Sequence, residues 1–164
     1  MRLRLPEEAA TERLGETLGR LAEAGDIIAL IGELGSGKTT LVRGLARGLG
    51  VAPEVAVVSP TFTIINEYPG GRLALYHLDL YRVAGEEQEE LGLEETLYGA
   101  GVAAIEWAER LAETPPERLE VRLSLWPPES GEERLAELAP FGARAERLAR
   151  KAARQLAELA PTGG

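Results

Sequence analysis

Eight consecutive residues fit the phosphate-binding pattern G-x-x-x-x-G-K-[ST], and no other feature of the sequence constrains the fold as strongly. They read Gly32-Glu33-Leu34-Gly35-Ser36-Gly37-Lys38-Thr39 and directly follow the apolar run Ile27-Ile28-Ala29-Leu30-Ile31. A strand, a glycine-rich turn and a helix over residues 39–49 would point the backbone N–H groups of the turn at a phosphate. Because pattern, strand and helix agree, a turn without a ligand is the weaker interpretation. The sequence predicts a nucleoside-triphosphate site.

The residue types within this pattern suit the parts of a magnesium–nucleotide complex. Its glycines have no side chains to block the phosphates, Lys38 is placed to neutralise the β and γ oxygens, and the Thr39 hydroxyl suits Mg²⁺. When no anion is bound, the Lys38 charge is expected to be solvated. Lys38 is also a predicted catalytic residue. The predicted nucleotide-binding residues of this segment are Gly35, Ser36, Gly37, Lys38, Thr39 and Thr40.

Length, charge and residue content narrow the function further. The 164 residues are predicted to form one P-loop domain over 1–160, with a frayed tail at 161–164. Zero cysteines and a single histidine disfavour zinc and leave Mg²⁺ as the expected metal. No apolar run of membrane-spanning length and no signal-peptide pattern occur, which predicts a cytoplasmic protein. The net charge of −9 disfavours direct binding to a nucleic acid backbone.

Alternating strand-like and helical segments predict the architecture. The short turn Pro69-Gly70-Gly71 indicates that the strands on either side of it pair antiparallel. The fold class is predicted to be α/β, a three-layer P-loop NTPase-like sandwich with a mixed sheet made of a parallel core plus antiparallel strands. Strands are expected at 2–5, 27–31, 55–58, 62–67, 73–81, 102–105, 119–126 and 134–138, and helices from residue 6, over 39–49, within 86–97 and over 141–159.

Two acidic residues compete for the role of metal partner beside Thr39. Glu106 ends an apolar strand, where a direct or water-mediated Mg²⁺ ligand is expected, and an ordinary charge at a strand end is the alternative. Asp79 shares a strand face with His77 and Tyr81 by period-two alternation, and a merely solvated face explains that pattern equally well. The residues alone leave both assignments open.

Several further segments, taken in order with the phosphate loop, resemble the TsaE family, also called YjeE. This family comprises small bacterial ATPases of the machinery that forms threonylcarbamoyladenosine (t6A) in tRNA. The similarity runs from about residue 11 to residue 134, and its specificity comes from the combination, because the loop alone fits many families. The predicted helix from residue 141 onward is longer than the family leads us to expect. The segments that carry the resemblance are Gly32-Glu33-Leu34-Gly35-Ser36-Gly37-Lys38-Thr39-Thr40-Leu41-Val42-Arg43-Gly44, Ser59-Pro60-Thr61-Phe62, Asn66-Glu67-Tyr68, Tyr76-His77-Leu78-Asp79-Leu80-Tyr81-Arg82 and Ile105-Glu106-Trp107.

The resemblance implies a biological role. TsaE-like proteins bind ATP and Mg²⁺, hydrolyse ATP slowly and act with the proteins TsaD and TsaB, of which TsaD transfers the threonylcarbamoyl group to adenosine 37 of tRNA. Contact with tRNA would then be indirect, through the complex. By resemblance, Thr39 and Glu106 correspond to metal-binding positions, whereas Asp79 and Trp107 match positions linked to activity, although Trp107 is also compatible with a simple core anchor.

The resemblance also implies a switch segment and a base-binding region. Ser59-Pro60-Thr61 resembles a switch in which the proline restricts Ser59 and the Thr61 hydroxyl is presented toward the γ-phosphate, so Thr61 joins the predicted catalytic residues. Thr11 and Arg134 would flank the nucleotide base. For Thr11, a solvent-facing helix residue is the alternative.

Three classes of function compete at this stage. A switch ATPase fits the motif series best. A small-molecule or nucleoside kinase shares the phosphate loop but needs an arginine-rich lid, whereas residues 82–97 are mainly acidic. A module that holds nucleotide without hydrolysing it is the third class. A GTPase is disfavoured because the sequence has no Asn-Lys-x-Asp segment to read guanine.

Overall fold

A computed structural model describes residues 1–60 and 62–157, which form seven strands and five helices. Most elements begin where the apolar periodicity begins and end at glycine, proline or a turn. The strands are β1 (Arg2–Leu5), β2 (Ile27–Ile31), β3 (Ile65–Tyr68), β4 (Leu75–Asp79), β5 (Val102–Glu106), β6 (Arg118–Trp126) and β7 (Glu133–Phe141). The helices are α1 (Glu8–Leu21), α2 (Lys38–Leu49), α3 (Gly85–Glu90), α4 (Leu93–Leu97) and α5 (Ala143–Gln155), with a short 3-10 turn at Ala108–Arg110.

All seven strands join one mixed sheet in the order β1-β7-β6-β2-β5-β4-β3. The four inner strands β6, β2, β5 and β4 run parallel. The flanking strands are antiparallel, with β7 on β6, β1 on β7 and β3 on β4. This arrangement confirms the predicted α/β fold with a parallel core and antiparallel additions, including the β3–β4 hairpin around the Pro69-Gly70-Gly71 turn.

Two apolar cores lie on opposite faces of the sheet and produce the three layers. On one face α1, α2 and α5 pack against the strands through residues such as Leu14, Leu45 and Leu148. On the other face the shorter helix α4 contributes Leu93 and Leu97, which contact the opposite sides of β2, β4 and β5. The central parallel strands are therefore covered on both faces, as expected for buried parallel sheets.

Strand register brings the predicted site residues to one edge of the sheet. β2 runs into the phosphate loop, and the loop leads into α2. On the neighbouring strands, Asp79 at the end of β4 pairs with Glu106 at the end of β5. Because these strands are parallel, their carboxyl ends meet beside the loop, which is where ligands bind in open α/β sheets.

One strand prediction is wrong. Residues 55–58 are irregular, because Val55 and Val58 are largely exposed and have no neighbouring strand to pair with. Side chains satisfy the backbone of Val58 instead: its N–H lies 3.4 Å from the Tyr68 hydroxyl, and its carbonyl accepts from Asn66 Nδ2 at 3.3 Å. Pro60, which cannot donate to a ladder, follows two residues later. The apolar run therefore forms a loop at the edge of the sheet and not the predicted strand.

Other differences concern the ends of elements. The predicted strands 62–67 and 73–81 shorten to Ile65–Tyr68 and Leu75–Asp79, whereas β7 is longer than predicted because it pairs along its whole length with β6. Helix α5 ends at Gln155. Thr61, the end of the predicted helix 141–159 and the predicted tail 161–164 lie outside the described residues, so the domain boundary at residue 160 stays a prediction. Within the described part of the chain, no helix combines the length and apolar character needed to span a bilayer.

Candidate nucleotide-binding site

The phosphate loop has the backbone geometry that a phosphate cradle requires. Gly35 and Gly37 have φ angles of 78° and 102°, which favour glycine. At Gly32 the constraint is space, because a Cβ would lie 2.5 Å from both the Leu123 carbonyl oxygen and the Ser36 hydroxyl. The Ser36 side chain is buried within the loop. The loop thus opens its backbone toward the cavity above the N-terminus of α2, where N–H groups and the helix dipole favour an anion.

Lys38 lies against its own loop. Its Nζ donates to the carbonyl oxygens of Gly32 at 2.5 Å and Glu33 at 2.9 Å, and it sits 4.2 Å from the centre of the Trp107 ring. The side chain is buried, so the expectation that its charge is solvated was wrong. Burial lowers the pKa of the Lys38 ammonium, while the carboxylates of Glu106, Glu109 and Asp79 act in the opposite direction.

Thr39 and Glu106 meet directly. The Thr39 hydroxyl lies 3.0 Å from Glu106 Oε1 and 3.1 Å from Oε2, and it donates to this carboxylate. Glu106 is buried and its Oε2 also lies 2.5 Å from His77 Nε2. An ordinary strand-end charge would be exposed, so that alternative fails for Glu106. A hydroxyl and a carboxylate beside a phosphate loop are the hard oxygen donors that Mg²⁺ prefers, and these two residues fit that ion.

Asp79 is occupied by a different set of contacts. Its Oδ2 accepts a hydrogen bond from the Ser59 hydroxyl at 2.5 Å, and its Oδ1 accepts from the Tyr81 backbone N–H at 2.9 Å. Both Asp79 and His77 are buried on the face of β4 that looks toward α2, so the solvated-face alternative is wrong. Asp79 therefore ties the segment that contains Ser59 to the end of β4.

Trp107 follows Glu106 in a left-handed backbone conformation, with φ 59°, which is uncommon for a bulky residue. Its ring packs against Tyr81, with centroids 4.9 Å apart, and lies beside Lys38 and Arg110. Trp107 also borders the core under α4, but its ring lines the cavity. The simple core-anchor alternative therefore does not describe it fully. Strained residues of this kind cluster at functional sites.

Thr11 and Arg134 lie on the opposite wall of the same cavity. Thr11 is buried in α1, and its methyl group lies 3.6 Å from where a Cβ on Gly37 would be, so it is not a solvent-facing residue. Arg134 donates from Nη2 to the Gly35 carbonyl at 3.1 Å and from Nη1 to the Gly131 carbonyl at 2.8 Å. Arg134 therefore fastens the phosphate loop to the β6–β7 turn.

The predicted residues converge on one cavity of about 870 Å³. This volume falls within the range of pockets that hold a molecule of nucleotide size. Every predicted site residue that the structure describes lines this cavity; Thr61 lies outside the described residues. These lining residues are Thr11, Gly35, Ser36, Gly37, Lys38, Thr39, Thr40, Asp79, Glu106 and Arg134.

The sequence interpretation missed the acidic wall of the cavity. Glu7 and Glu8 reach it from the start of α1, and Glu132 and Glu133 reach it from the start of β7. An ion pair between Arg4 and Glu133 joins this wall to the edge strand β1. A signal did exist, because charged residues flank both the predicted edge strand and the turn at Gly131, but only the β1–β7 pairing shows that the two segments are neighbours.

Comparison with known proteins finds one family along most of the sequence. A family model described as "Threonylcarbamoyl adenosine biosynthesis protein TsaE" matches residues 5–133. A relative from Nostoc sp., named tRNA threonylcarbamoyladenosine biosynthesis protein TsaE, is 46% identical over 143 residues, which are 84% of this chain and 84% of that protein. The Bacillus subtilis protein of the same name is 47% identical over 117 residues, 71% of each chain.

A solved structure has the same fold as this chain. The crystal structure of YdiB from Bacillus subtilis matches with a TM-score of 0.79 at 35% sequence identity, and the match covers 94% of this chain and 95% of that chain. The predicted fold is thereby confirmed in a homologous protein. Since the family model spans most of the sequence and the relatives are this similar, the chain belongs to the TsaE family of threonylcarbamoyl adenosine biosynthesis proteins.

Proposed function

We propose that this chain binds ATP with Mg²⁺, hydrolyses it slowly, and acts as a nucleotide-dependent switch on a complex of TsaD and TsaB that forms t6A at position 37 of tRNA. The observation that carries the proposal is the direct contact between Thr39 and Glu106 at the start of α2. It sets a hydroxyl and a carboxylate beside a loop whose glycine conformations suit a phosphate chain. Family membership supports the biological role.

Each site residue has a distinct task in this proposal. The loop N–H groups and Lys38 hold the phosphates, and Lys38 leaves the carbonyls of Gly32 and Glu33 to do so. Thr39 and Glu106 hold Mg²⁺, which when bound neutralises charge on the β and γ oxygens. The acidic wall of the cavity favours this arrangement, because a triphosphate without its cation would be repelled there.

Asp79 is better suited to transmit the nucleotide state than to bind the metal. Both of its oxygens already accept hydrogen bonds, one from Ser59 and one from the Tyr81 backbone. A change at the γ-phosphate that moved the segment after Ser59 would alter the Ser59–Asp79 bond and, through it, the end of β4. Such a two-state contact is what a nucleotide switch needs.

In the part of the chain that the structure describes, no segment forms the lid that a kinase would need. Helix α4 packs on the far face of the sheet, away from α2, through Leu93 and Leu97. Gln88 of α3 fastens this region by accepting from the Ala112 N–H at 2.8 Å and donating to the Arg110 carbonyl at 2.7 Å. A segment held in this way is poorly suited to close over an acceptor substrate, which supports an ATPase.

The decisive experiment measures ATP turnover by the purified chain alone and with TsaD, TsaB and tRNA. We expect slow turnover alone and faster turnover in the complex. The Lys38→Ala variant, purified in parallel, controls for contaminating ATPases. Binding of Mg²⁺·ATP without turnover in either condition would instead identify a nucleotide-binding module, and transfer of phosphate to a small molecule would identify a kinase.

Exchange of Glu106 for glutamine should weaken Mg²⁺-dependent nucleotide binding more than exchange of Asp79 for asparagine. Glu106 contacts Thr39 directly, whereas Asp79 contacts Ser59. We expect Glu106→Gln to lower the apparent Mg²⁺ affinity by at least about tenfold. Calorimetric titration of Mg²⁺ into the protein with ATP would measure it. Glu109→Gln is the matched control, because this exposed carboxylate also lies near Lys38 but has no contact with Thr39. A larger effect from Asp79→Asn would exchange the two roles.

The isolated chain should bind the TsaD–TsaB pair more tightly with ATP than with ADP, by about 5- to 150-fold. The residues on either side of the Ser59–Asp79 contact support this expectation, because Val58 and Phe62 are exposed, Phe62 to 86%. A pull-down of the pair with each nucleotide would measure the difference. Asp79→Asn is expected to reduce the discrimination between ATP and ADP.

The same chain should bind tRNA weakly or not at all by itself at physiological salt. A net charge of −9 offers little of the counterion release that drives phosphate-backbone binding. Filter binding of tRNA to the chain alone tests this. Tight, salt-sensitive tRNA binding, or equal docking of the TsaD–TsaB pair with ATP and ADP, would contradict the switch proposal and favour an enzyme that acts on RNA directly.

A further inference from the structure

His77 is the single histidine of the chain and lies at the centre of β4. Its side chain is fully buried, and its Nε2 is 2.5 Å from Glu106 Oε2. The other ring nitrogen, Nδ1, has no hydrogen-bond partner among the residues that the structure describes, and it is the one such buried side-chain atom there. A buried imidazole with one satisfied and one unsatisfied nitrogen calls for an explanation.

The two nitrogens decide which tautomer is present. A carboxylate accepts hydrogen bonds, so the Nε2 that faces Glu106 carries the proton and donates it. A second N–H at Nδ1 would be a buried donor without a partner, which native structures avoid more strictly than an unpaired acceptor. His77 therefore donates from Nε2, and its hydrogen bond is directed at Glu106 alone.

This hydrogen bond distinguishes the two oxygens of Glu106. The Thr39 hydroxyl lies at similar distances from both, 3.0 Å from Oε1 and 3.1 Å from Oε2, whereas His77 engages Oε2. The side chains of Glu106 and His77 project from neighbouring parallel strands, where His77 pairs with Ala104, two residues before Glu106. The sheet thus fixes the distance between donor and carboxylate.

We propose that His77 is a positioning residue that holds Glu106 through Oε2 and leaves Oε1 available to Mg²⁺ beside Thr39. The inference rests on the proposed function, since it concerns the same magnesium site. It differs from a plain core role, in which the ring only fills volume and any apolar ring would serve. Outer hydrogen bonds of this type typically change metal affinity by about 10- to 100-fold when they are removed.

Three substitutions of His77 distinguish the effect of the hydrogen-bond donor from the effect of side-chain volume. His77→Gln places an amide nitrogen three bonds from Cβ, as Nε2 is, and keeps a donor toward Glu106. His77→Asn places its amide nitrogen two bonds from Cβ, as Nδ1 is, and loses that donor. His77→Phe keeps a ring and removes both nitrogens. The measured quantity is the ratio of ADP affinity with excess Mg²⁺ to ADP affinity in EDTA, determined by calorimetry for each folded variant.

We expect the Mg²⁺ ratio to fall by at least about tenfold in His77→Phe and His77→Asn and to be largely retained in His77→Gln. Affinity in EDTA should be the same in all of them, because the phosphate loop is unchanged. A wild-type ratio in His77→Phe, or an equal loss of affinity in EDTA and in Mg²⁺, would overturn the inference and leave the ATPase proposal intact. A wild-type chain with no Mg²⁺ effect would instead refute the magnesium site itself.

A second measurement needs neither nucleotide nor metal. Because His77 is the only histidine, its two ring ¹⁵N resonances can be assigned without ambiguity in a labelled sample. We expect the Nε2 signal of a protonated nitrogen and the Nδ1 signal of an unprotonated one, with Glu106→Gln shifting the Nε2 signal. The opposite tautomer would overturn the inference. Because this measurement uses the chain with His77 intact, it tests the inference even if the phenylalanine variant does not fold.

Discussion

Replacement of Lys38 by alanine is expected to lower the affinity for ATP by at least about 30-fold, because loss of one partner from a desolvated, hydrogen-bonded charge pair costs about 2–5 kcal/mol. Among the described residues that line the cavity, the other two cations have partners of their own. Arg134 donates to the carbonyls of Gly35 and Gly131, and the Arg82 guanidinium lies 5.3 Å from the centre of the Phe62 ring. Isothermal titration of ATP into the variant, with Mg²⁺ present, measures the loss.

Lys151 provides a matched control, since Lys38 and Lys151 are the two lysines of the sequence. Lys151 is exposed on α5, where its Nζ lies 4.0 Å from Glu23, far from the cavity residues. Lys151→Ala should leave ATP affinity unchanged. If Lys38→Ala bound ATP as tightly as the wild type, the assignment of the phosphate loop would be wrong.

Lys38→Ala should fold, although for a different reason than the sequence suggested. The sequence led us to expect a solvated ammonium, whereas Lys38 is buried and bonded to the Gly32 and Glu33 carbonyls. The substitution removes these hydrogen bonds, but it also removes an ammonium group whose pKa is lowered by burial. The lowered pKa means that keeping Lys38 charged in the folded chain costs free energy. The two effects oppose each other, so the melting temperature should change little.

Local patterns were sufficient for the part of the site that is contiguous in sequence. The phosphate loop, the start of α2 and the strand before it were predictable because glycine spacing and apolar periodicity are local signals. The partner of Thr39 was predictable only as a choice between Asp79 and Glu106. Their contact with different residues depends on side-chain directions at the ends of two strands, which spacing does not encode.

Features that depend on long-range pairing were not predictable. The acidic wall of the cavity exists because β1 pairs with β7 and so brings Arg4 near Glu133, more than a hundred residues away in sequence. The loop at 55–58 was misassigned for the same reason, since its valines have strand propensity but no strand beside them. The burial of His77 was not predictable either, because it depends on the packing of a helix over β4.

Four glycines between α1 and α2 predict the largest effect on stability. Gly15 and Gly19 on α1 face Gly44 and Gly48 on α2, and at each of them a Cβ would lie 2.0–2.3 Å from a backbone oxygen of the opposite helix. For Gly44 that oxygen is the Glu12 carbonyl, at 2.0 Å. The two helix backbones are therefore in direct contact, and an added methyl group can be accommodated only if the helices separate.

Gly44→Ala should destabilise the chain by about 3 kcal/mol, at the upper end of the cost of overpacking. For a chain of this size, the melting temperature should fall by about 6–12 °C. Thermal unfolding followed by circular dichroism measures this change. Gly85→Ala is the control, because Gly85 opens helix α3 with ordinary space around it and gains helix propensity on substitution. The control should be as stable as the wild type or slightly more stable.

The same substitution tests whether helix packing sets the geometry of the site. Thr11 on α1 contacts the phosphate loop near Gly37, whereas Thr39 belongs to the first turn of α2, so separation of the two helices moves one wall of the cavity away from the other. Gly44→Ala should therefore weaken ATP binding at a temperature where the variant is still fully folded, although Gly44 itself lies outside the cavity. Reduced stability with wild-type ATP affinity would show that the loop and α2 bind the phosphates without support from α1. A wild-type melting temperature would mean that the helices are not as close as the Gly44–Glu12 contact requires.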